Sequence, residues 1–283
     1  MAPSDSSITL AEAAERLGVH YMTAYRYVRT GRLAASKHGQ EWTLRPSDVE
    51  ALRQELRDGT PARTRGTSPR TGRGRQGYPA RLMDRLLGAD EAGAWAVVEA
   101  ALAGGMAVER VYLDLIGPAL DEIGTRWERG TITVGDEHLA SAVAQRLIGR
   151  LGPQFARRGR KKGTVLVGAP PGEHHSIPSA MFGDLLRGRG YQVVDLGANV
   201  PVDSWVTAAS RAANLVAIGL CATAPDNDGN IRRTVRNLRA ATDVPIFIGG
   251  QAIASEAHAL QLGATDYTSS FDDAIALLDD LPG

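Results

Sequence analysis

Short apolar runs alternate with longer amphipathic stretches in residues 163–283, and this alternation restricts the possible folds more than any other feature of the chain. Five runs have the length and composition of strands, namely residues 164–168, 191–197, 215–221, 244–248 and 266–269. Helix-like stretches of about ten residues or more separate them. Parallel strands require such crossover helices, so the pattern predicts an α/β domain with a five-stranded parallel sheet covered on both faces.

Two segments with clustered positive charge divide the chain. Residues 59–77 combine Gly, Pro, Ser and Thr with five arginines and no acid, and residues 153–163 also carry only positive charge. A segment such as 59–77 cannot bury enough apolar surface to form a core, which predicts a linker. The predicted domains are therefore residues 1–58, 78–158 and 163–283.

Composition excludes several classes of protein. The chain of 283 residues is 43% hydrophobic and has 32 basic and 32 acidic residues, so it can form cores and has no overall bias towards a polyanion. Its single cysteine excludes an internal disulfide framework. The first residues lack the pattern of a signal peptide, and no apolar run approaches the roughly 18 residues of a membrane span. These features predict a cytoplasmic protein with no membrane partner.

The middle block, residues 78–158, has helical periodicity throughout. Glycines at 104–105 and 130 divide it into four predicted helices. Its apolar residues at helical spacing include Trp95, Val98, Ala101, Leu102, Val111, Leu115 and Leu120. This arrangement predicts a four-helix bundle.

The first block, residues 1–58, has the pattern of a helix-turn-helix. Thr9 and Glu12 have capping-box spacing at the start of a helix that ends before Gly18. The apolar face of this helix consists of Leu10, Ala13, Ala14 and Leu17. A second helix is predicted over residues 20–30, and alternation around residues 40–44 predicts a two-stranded wing followed by a last helix. The result is a winged helix-turn-helix.

Local charge supports DNA binding by this block, since residues 21–40 contain four basic residues and no acid. The candidate DNA-contacting residues on the second helix and the wing are Tyr21, Thr23, Arg26, Tyr27, Arg29 and Lys37. The spacing of Tyr27 also makes it available to pack inward. The alternative is a helical hairpin for protein contacts whose arginines are ordinary solvated surface.

The stretches LAEAAERLGVHYMTAYRYVRTGRL and W…DVEAL resemble the winged helix-turn-helix of the MerR and excisionase type. The resemblance covers about 50 residues of the chain and implies that the second helix enters the major groove of operator DNA. It places Arg26 and Tyr27 near the recognition face.

A Gly- and Pro-rich loop, GAPPGEHHSIP at residues 168–178, follows the first predicted strand. Open α/β sheets bind ligands at such loops, at the carboxyl ends of their strands. Glu173 lies two residues before His175, and a carboxylate in this position can orient an imidazole or raise its basicity. The pair could act as a general base or as a metal ligand with its acceptor, and a solvated polar loop is about as consistent with the spacing. For His174 an exposed loop position is preferred.

The α/β block resembles the cobalamin-binding fold of methionine synthase and corrinoid methyl carriers, whose first loop reads D/E-x-H-x-x-G. The resemblance implies that His175 is the lower ligand of cobalt and Glu173 its hydrogen-bonded partner. Pro178 stands where the family usually has Gly.

Two further segments of the α/β block resemble this fold. Cys221 and Thr223 replace the Ser and Leu of a motif after the third strand, and Gly249 and Gly250 match a Gly-Gly pair after the fourth strand. The resemblance implies that these glycines let the backbone approach the nucleotide tail of the cofactor.

The helical block contains Trp127, nine intervening residues, and then Glu137 and His138. This arrangement resembles a motif of the cobalamin-dependent MerR-type photoreceptor regulators, the CarH/LitR group. It implies that Trp127 caps the upper face of the corrin and that Glu137 and His138 are polar contacts. Glu128 stands where the group has a His that binds cobalt after photolysis, so the same bis-histidine photoproduct does not follow. A carboxylate could ligate the cobalt weakly, water could remain, or the protein could sense something other than light. The alternative is that Trp127 is core and Glu137 and His138 form a solvated helix start.

The domain order resembles that of the same photoreceptor regulators. The resemblance implies a repressor without enzymatic turnover that binds adenosylcobalamin, or another cobalamin form, and assembles into a cofactor-dependent dimer or tetramer on operator DNA. The alternatives are a corrinoid methyl carrier and a regulator that binds another tetrapyrrole or no cofactor. A basic helix-turn-helix has no role in a carrier.

Overall fold

The structure is a computed structural model that describes residues 7–17, 24, 27–28, 33–38, 41–58, 77–268 and 270–279. Residues 1–144 and residues 145–283 form two compact units. Within the described part of the chain, no helix has both the length and the apolar character that crossing a bilayer requires.

In the described residues up to 58, the first unit has helices and a small antiparallel sheet. The elements are β1 Ile8–Thr9, α1 Leu10–Leu17, β2 Ala35–His38, β3 Glu41–Leu44 and α2 Pro46–Asp58. The central strand β3 pairs with both β1 and β2, and each pairing is antiparallel. Strands β2 and β3 lie in the segment for which the sequence predicts a two-stranded wing.

The capping box predicted for the first helix is present. The Thr9 amide donates to Glu12 Oε2 at 2.8 Å, and the Glu12 amide donates to Thr9 Oγ1 at 3.3 Å. The hydrogen bond from the Thr9 amide also holds the pKa of Glu12 below its usual value. The predicted apolar face is confirmed, because all four of its residues are buried.

The helical region follows from residue 78. Its elements are α3 Tyr78–Leu87, α4 Glu91–Ala103, α5 Val108–Val111, α6 Gly117–Glu128 and α7 Val134–Leu151. A π-helical turn at Tyr112–Ile116 joins α5 to α6, and Pro118 lies two residues after it in the first turn of α6. Pro has no N–H and cannot continue the ladder of the preceding helix, which accounts for the irregular turn at this point.

The second unit contains a five-stranded parallel sheet, as predicted. Its strands are β4 Thr164–Gly168, β5 Gln192–Asp195, β6 Leu215–Cys221, β7 Ile246–Gly249 and β8 Asp266–Thr268. The predicted run 244–248 begins as a strand only at Ile246, because Pro245 lacks the N–H that a central strand needs.

Helices connect the strands and cover both faces of the sheet. They are α8 Ile177–Gly188, α9 Val202–Arg211, α10 Asp228–Ala241, α11 Glu256–Gln261 and α12 Phe271–Asp279. The strand order β5-β4-β6-β7-β8 is that of flavodoxin-like folds. The order reverses between β4 and β6, so the loops after these two strands meet at the carboxyl edge of the sheet, where such folds bind ligands.

Candidate functional site

Glu173 lies at the centre of the meeting point of these two loops. It is fully buried, and each of its carboxylate oxygens accepts two hydrogen bonds. Oε1 accepts from the backbone N–H of His175 at 3.0 Å and from its ring Nδ1 at 2.5 Å. Oε2 accepts from the backbone N–H groups of Thr223 and Ala224, each at 2.5 Å. One side chain therefore joins the loop after β4 to the loop after β6.

These hydrogen bonds determine the charge of the carboxyl group. Burial alone raises the pKa of Glu173, but the bonds from the His175 ring and from three backbone N–H groups together outweigh it and hold the pKa below its ordinary value of 4.5. Glu173 is therefore a carboxylate at neutral pH.

The carboxylate fixes the orientation of the His175 ring. The His175 side chain is 52% exposed, although the carboxylate that holds it is buried. An ionised carboxylate only accepts hydrogen bonds, so in the neutral ring Nδ1 carries the proton and Nε2 is the basic nitrogen. Nε2 lies on the side of the ring away from Glu173.

Two asparagines that sequence reasoning did not single out hold the same loop. Asn199, in the loop after β5, accepts from the Gly172 N–H through Oδ1 at 2.8 Å and donates its own N–H to the Glu173 carbonyl at 2.6 Å. Asn227 donates Nδ2 to the Pro171 carbonyl at 2.9 Å. Asn199 has a φ of 53°, a conformation that Asn tolerates better than most residues, so its position before Val200 and Pro201 was a turn signal available in the sequence.

Cys221 ends strand β6 close to Glu173. Burial, and then the charges of Asp195 and Glu173, raise the pKa of the Cys221 thiol to about 12. The thiol therefore stays protonated at neutral pH, and it does not have the thiolate character that a metal ligand needs. Thr223 contributes its backbone N–H to Glu173.

Gly249 and Gly250 allow close approaches within the protein itself. A Cβ at Gly249 would overlap Thr268 Oγ1, and one at Gly250 would overlap the carbonyl oxygen of Ala222. Gly250 also has a φ of 115°, which side-chain-bearing residues rarely adopt. Both glycines are thus required by the packing of the loops after β6 and β7, whatever ligand they approach.

A histidine fastens the loop after β7 to the start of α10. His258 Nδ1 accepts from the Ala254 N–H at 3.2 Å, and Nε2 lies 3.1 Å from Asp228 Oδ2. The loops at the carboxyl edge are therefore cross-linked by side chains as well as by the backbone.

Two other residues of the candidate loop, Pro178 and His174, are also placed by the structure. Pro178 lies in the first turn of α8, where the missing N–H is not needed. His174 is exposed. Among the described residues, no three His, Cys, Asp or Glu side chains are grouped as a metal site, and Glu173 with His175 is a pair.

The motif of the helical region lies at the end of α6 and the start of α7. Trp127 and Glu128 occupy the last turn of α6, and both are half-buried, so Trp127 is not part of the fully buried interior. Glu137 lies 2.7 Å from His138 Nδ1 and also accepts from Ser141 Oγ at 2.6 Å. The His138 side chain is 75% exposed.

Most of the candidate DNA-contacting residues lie outside the part that the structure describes. These are Tyr21, Thr23, Arg26 and Arg29, together with the side chain of Lys37. Ala24, Tyr27 and Val28 are helical, and Tyr27 is only 8% exposed within the core of this domain. The structure thus places Tyr27 in the packing position that its spacing also predicted.

The residues at the carboxyl edge fit a cobalt corrinoid on chemical grounds. Imidazole nitrogen is a suitable ligand for cobalt, and a ligating His commonly donates its other ring N–H to a carboxylate. The Glu173–His175 pair has this arrangement, with an exposed ring and a buried carboxylate.

Three domain families match the chain. A helix-turn-helix domain matches residues 7–57, one B12 binding domain matches residues 80–151, and a second B12 binding domain matches residues 163–276. The last two correspond to the helical region and to the parallel-sheet domain.

Relatives include both a regulator and corrinoid proteins. The HTH-type transcriptional repressor CarH of Myxococcus xanthus is 32% identical over 52% of this chain and 48% of its own length. Trimethylamine corrinoid protein 1 of Methanosarcina acetivorans is 25% identical over 70% of this chain and 93% of its own length.

The fold has a counterpart among solved structures. The monomethylamine corrinoid protein of Methanosarcina barkeri superposes with a TM-score of 0.62 over 70% of this chain and 95% of that protein, at 18% identity. From the three family matches, the chain joins a helix-turn-helix domain to two B12 binding domains.

Proposed function

We propose that this protein is a transcriptional repressor that binds operator DNA and senses light, or the state of its cofactor, through bound adenosylcobalamin. The observation that carries the proposal is the carboxylate-held imidazole of His175 at the ligand-binding edge of the sheet, in a chain that also contains a helix-turn-helix domain. Another cobalamin form is the nearest alternative cofactor. We do not expect enzymatic turnover.

The residues of the parallel-sheet domain have distinct proposed roles. His175 would bind cobalt through Nε2, and Glu173 would hold the ring in the tautomer that leaves Nε2 basic. The loops that contain Cys221, Thr223, Gly249 and Gly250 would line the nucleotide tail. When bound, adenosylcobalamin would supply a cobalt–carbon bond that light can break.

In the helical region, α3, α4, the continuous segment from α5 to α6, and α7 would form the predicted four-helix bundle. Its cofactor-facing residues would lie at the end of α6 and the start of α7. Trp127 would cover the upper face of the corrin, and Glu137 and His138 would provide polar contacts. Glu128 replaces the histidine of the resembling group, and a carboxylate is a weaker cobalt ligand than imidazole. We therefore expect a photoproduct other than the bis-histidine form.

The DNA-binding end would act through linkage. In this proposal β2 and β3 form the wing, and the helix of residues 20–30 enters the major groove. A homodimer or homotetramer joins several of these DNA-binding domains. Because joined DNA-binding domains bind DNA with higher affinity than single ones, any event that weakens the assembly releases the operator without changing the DNA-contacting residues.

Absorbance and DNA binding, measured together, test the proposal. Purified full-length protein mixed with adenosylcobalamin in the dark should elute from gel filtration with the red corrinoid bound, and its spectrum should change on illumination. A mobility shift with promoter DNA from the protein's own operon should be present in the dark sample and reduced in the illuminated one. A colourless eluate contradicts the sensor function. So does a mobility shift that is the same with and without cofactor and in the dark and in light.

A corrinoid methyl carrier is the second candidate, since several relatives are corrinoid proteins aligned over most of their length. A carrier would bind cobalamin but would have no DNA affinity, so the mobility shift separates the two functions. A regulator with another tetrapyrrole or with no cofactor would bind DNA without retaining cobalamin.

A further inference from the structure

A dense run of cations lies on the surface of the second unit, outside the candidate site. Between the 3₁₀ turn Gly152–Phe155 and strand β4, five of the six residues 157–162 are basic. We call these residues the basic connector. Arg157, Arg158, Arg160 and Lys162 are exposed, and Lys161 is half-buried.

Four of the five cations of the basic connector have no acidic partner among the described residues, and the fifth, Lys162, lies over the ring of Tyr191 at 5.2 Å. Within the described ranges, no carboxylate forms an ion pair with Arg157, Arg158, Arg160 or Lys161. Lys161 Nζ instead donates to the carbonyl oxygen of Arg157 at 2.6 Å, and Gly159 has a φ of 104°. The backbone thus turns on itself and holds like charges together.

Five other arginines among the described residues do have acidic partners. The pairs are Arg53–Glu50, Arg85–Asp90, Arg110–Asp114, Arg126–Glu122 and Arg187–Asp184. Exposed arginines without a carboxylate partner also occur elsewhere in the described residues, but the basic connector differs from them in density, with five cations in six consecutive residues. Like charges held in one short turn repel one another, and an external polyanion would relieve that repulsion.

We propose that the basic connector binds the phosphate backbone of DNA. This contact would be sequence-independent and would add to the contact made by the helix-turn-helix domain. This inference rests on the proposed function, because that domain supplies the DNA. Arginine suits the role, since its guanidinium can make bidentate hydrogen bonds to phosphate oxygens. A second contact on the same chain adds affinity through effective concentration and needs no base-specific interaction.

The test compares two charge-matched variants of the full-length protein with cobalamin bound. One variant carries Arg157→Gln, Arg158→Gln and Arg160→Gln. The control carries Arg211→Gln, Arg232→Gln and Arg236→Gln, three exposed arginines of the same unit that have no carboxylate partner in the described part of the chain. Both lose three positive charges.

The readout is the affinity for a fluorescein-labelled DNA duplex of arbitrary sequence at several salt concentrations. Each lost phosphate contact lowers the slope of log K against log salt by roughly 0.9, so the connector variant should lose about 2 to 3 from the slope. The control variant should keep the wild-type slope. A third variant with Arg157→Lys, Arg158→Lys and Arg160→Lys should also keep most of the slope, because the charges remain.

The possible outcomes separate this inference from the proposed function. Wild-type protein that binds no DNA in any cofactor state refutes the proposed function and the inference with it. Wild-type protein that binds DNA, together with an unchanged slope in the connector variant, refutes the inference alone. An equal loss in both glutamine variants indicates a general charge effect and also refutes it. A parallel assay uses phosphatidylserine vesicles. If the connector variant keeps the wild-type slope on DNA but loses vesicle binding that the wild type has, the basic connector contacts membranes and the inference is refuted.

Discussion

Glu173 is a buried charge whose environment satisfies it completely. Moving a carboxylate out of water is costly unless hydrogen bonds replace its hydration, and here four N–H groups do so. The same four bonds orient His175 and join two loops, so one residue supports both the local fold and the proposed metal ligand.

Replacing Glu173 with Gln should destabilise the apo protein. Whichever way the amide is turned, its NH₂ group would face N–H donors, and a buried unsatisfied contact of this kind costs about 1–3 kcal/mol. Equilibrium urea unfolding at neutral pH measures the loss. The control is Glu122→Gln, whose ion pair with Arg126 is exposed and should contribute less than about 1 kcal/mol.

The contribution of Glu173 should depend on pH in a defined direction. Its pKa in the folded protein is lower than the ordinary value of 4.5, so its stabilising contribution is fully present above that pH and is lost as the pH falls through the folded pKa. The stability gap between wild type and Glu173→Gln should therefore narrow in acid. A gap that widens below pH 4.5 would contradict the charge state assigned to this residue.

Replacing His175 with Ala should affect the cofactor far more than the fold. The ring donates one of the four hydrogen bonds to Glu173, but it is about half exposed and water can replace that donor, so its removal should lower the free energy of unfolding of the apo protein by only about 1 kcal/mol. If Nε2 binds cobalt, the variant should either lose cobalamin during gel filtration or show a shifted absorbance spectrum. His174→Ala is the neighbouring control, and an unchanged spectrum in His175→Ala would remove this residue as the lower ligand.

At the level of elements, the ends of β6 and β7 are locked by backbone contacts. The Ala222 N–H donates to the Gly249 carbonyl at 2.9 Å, and the Ala252 N–H donates to the Ala222 carbonyl at 3.1 Å. Gly250 lies against the backbone of Ala222 between these two hydrogen bonds, so there is no room for a side chain at this position. The loops that would line the nucleotide tail are therefore rigid because their own backbones pack together.

Gly250→Ala and Gly229→Ala should change stability in opposite directions. At Gly250 the positive φ and the approach to the Ala222 carbonyl both oppose a Cβ, so Ala should cost more than about 1 kcal/mol. Gly229 lies in the first turn of α10, and a Cβ added there would meet no other atom within 4 Å, so Ala should stabilise by up to about 1 kcal/mol. Thermal unfolding of the two apo variants provides the comparison.

At the level of the whole molecule, the proposed regulation requires that cofactor binding change the assembly. Analytical ultracentrifugation of the dark protein should show a larger species with adenosylcobalamin than without it, and illumination should return the smaller species. Trp127→Ala should reduce this difference, because the residue would no longer cover the corrin. Equal sedimentation in all three conditions would contradict control by assembly.

The sequence predicted regular strands and helices correctly but missed an irregular turn. All five strands of the parallel sheet were predicted, because apolar runs that alternate with amphipathic stretches have few packing solutions. The capping box and apolar face of α1 were predicted as well, since both depend on residues within one or two turns. The π-helical turn at Tyr112–Ile116 was not, because no local pattern distinguishes it from a helix that bends at Pro118.

The candidate site shows the same division. The pairing of Glu173 with His175 could be predicted, because the two residues are close in sequence. The support from Thr223, Ala224, Asn199 and Asn227 could not, because these residues lie far along the chain and meet the loop only when the sheet has formed.

Periodicity, caps and the spacing of polar residues along the chain were thus sufficient to determine which segments become strands and helices and which imidazole lies beside which carboxylate. Only the tertiary structure decided the charge and burial of Glu173, the protonated state of Cys221 and the steric need for Gly250. These properties depend on desolvation and on contacts between distant loops, and both arise only when the strands are placed side by side in one sheet.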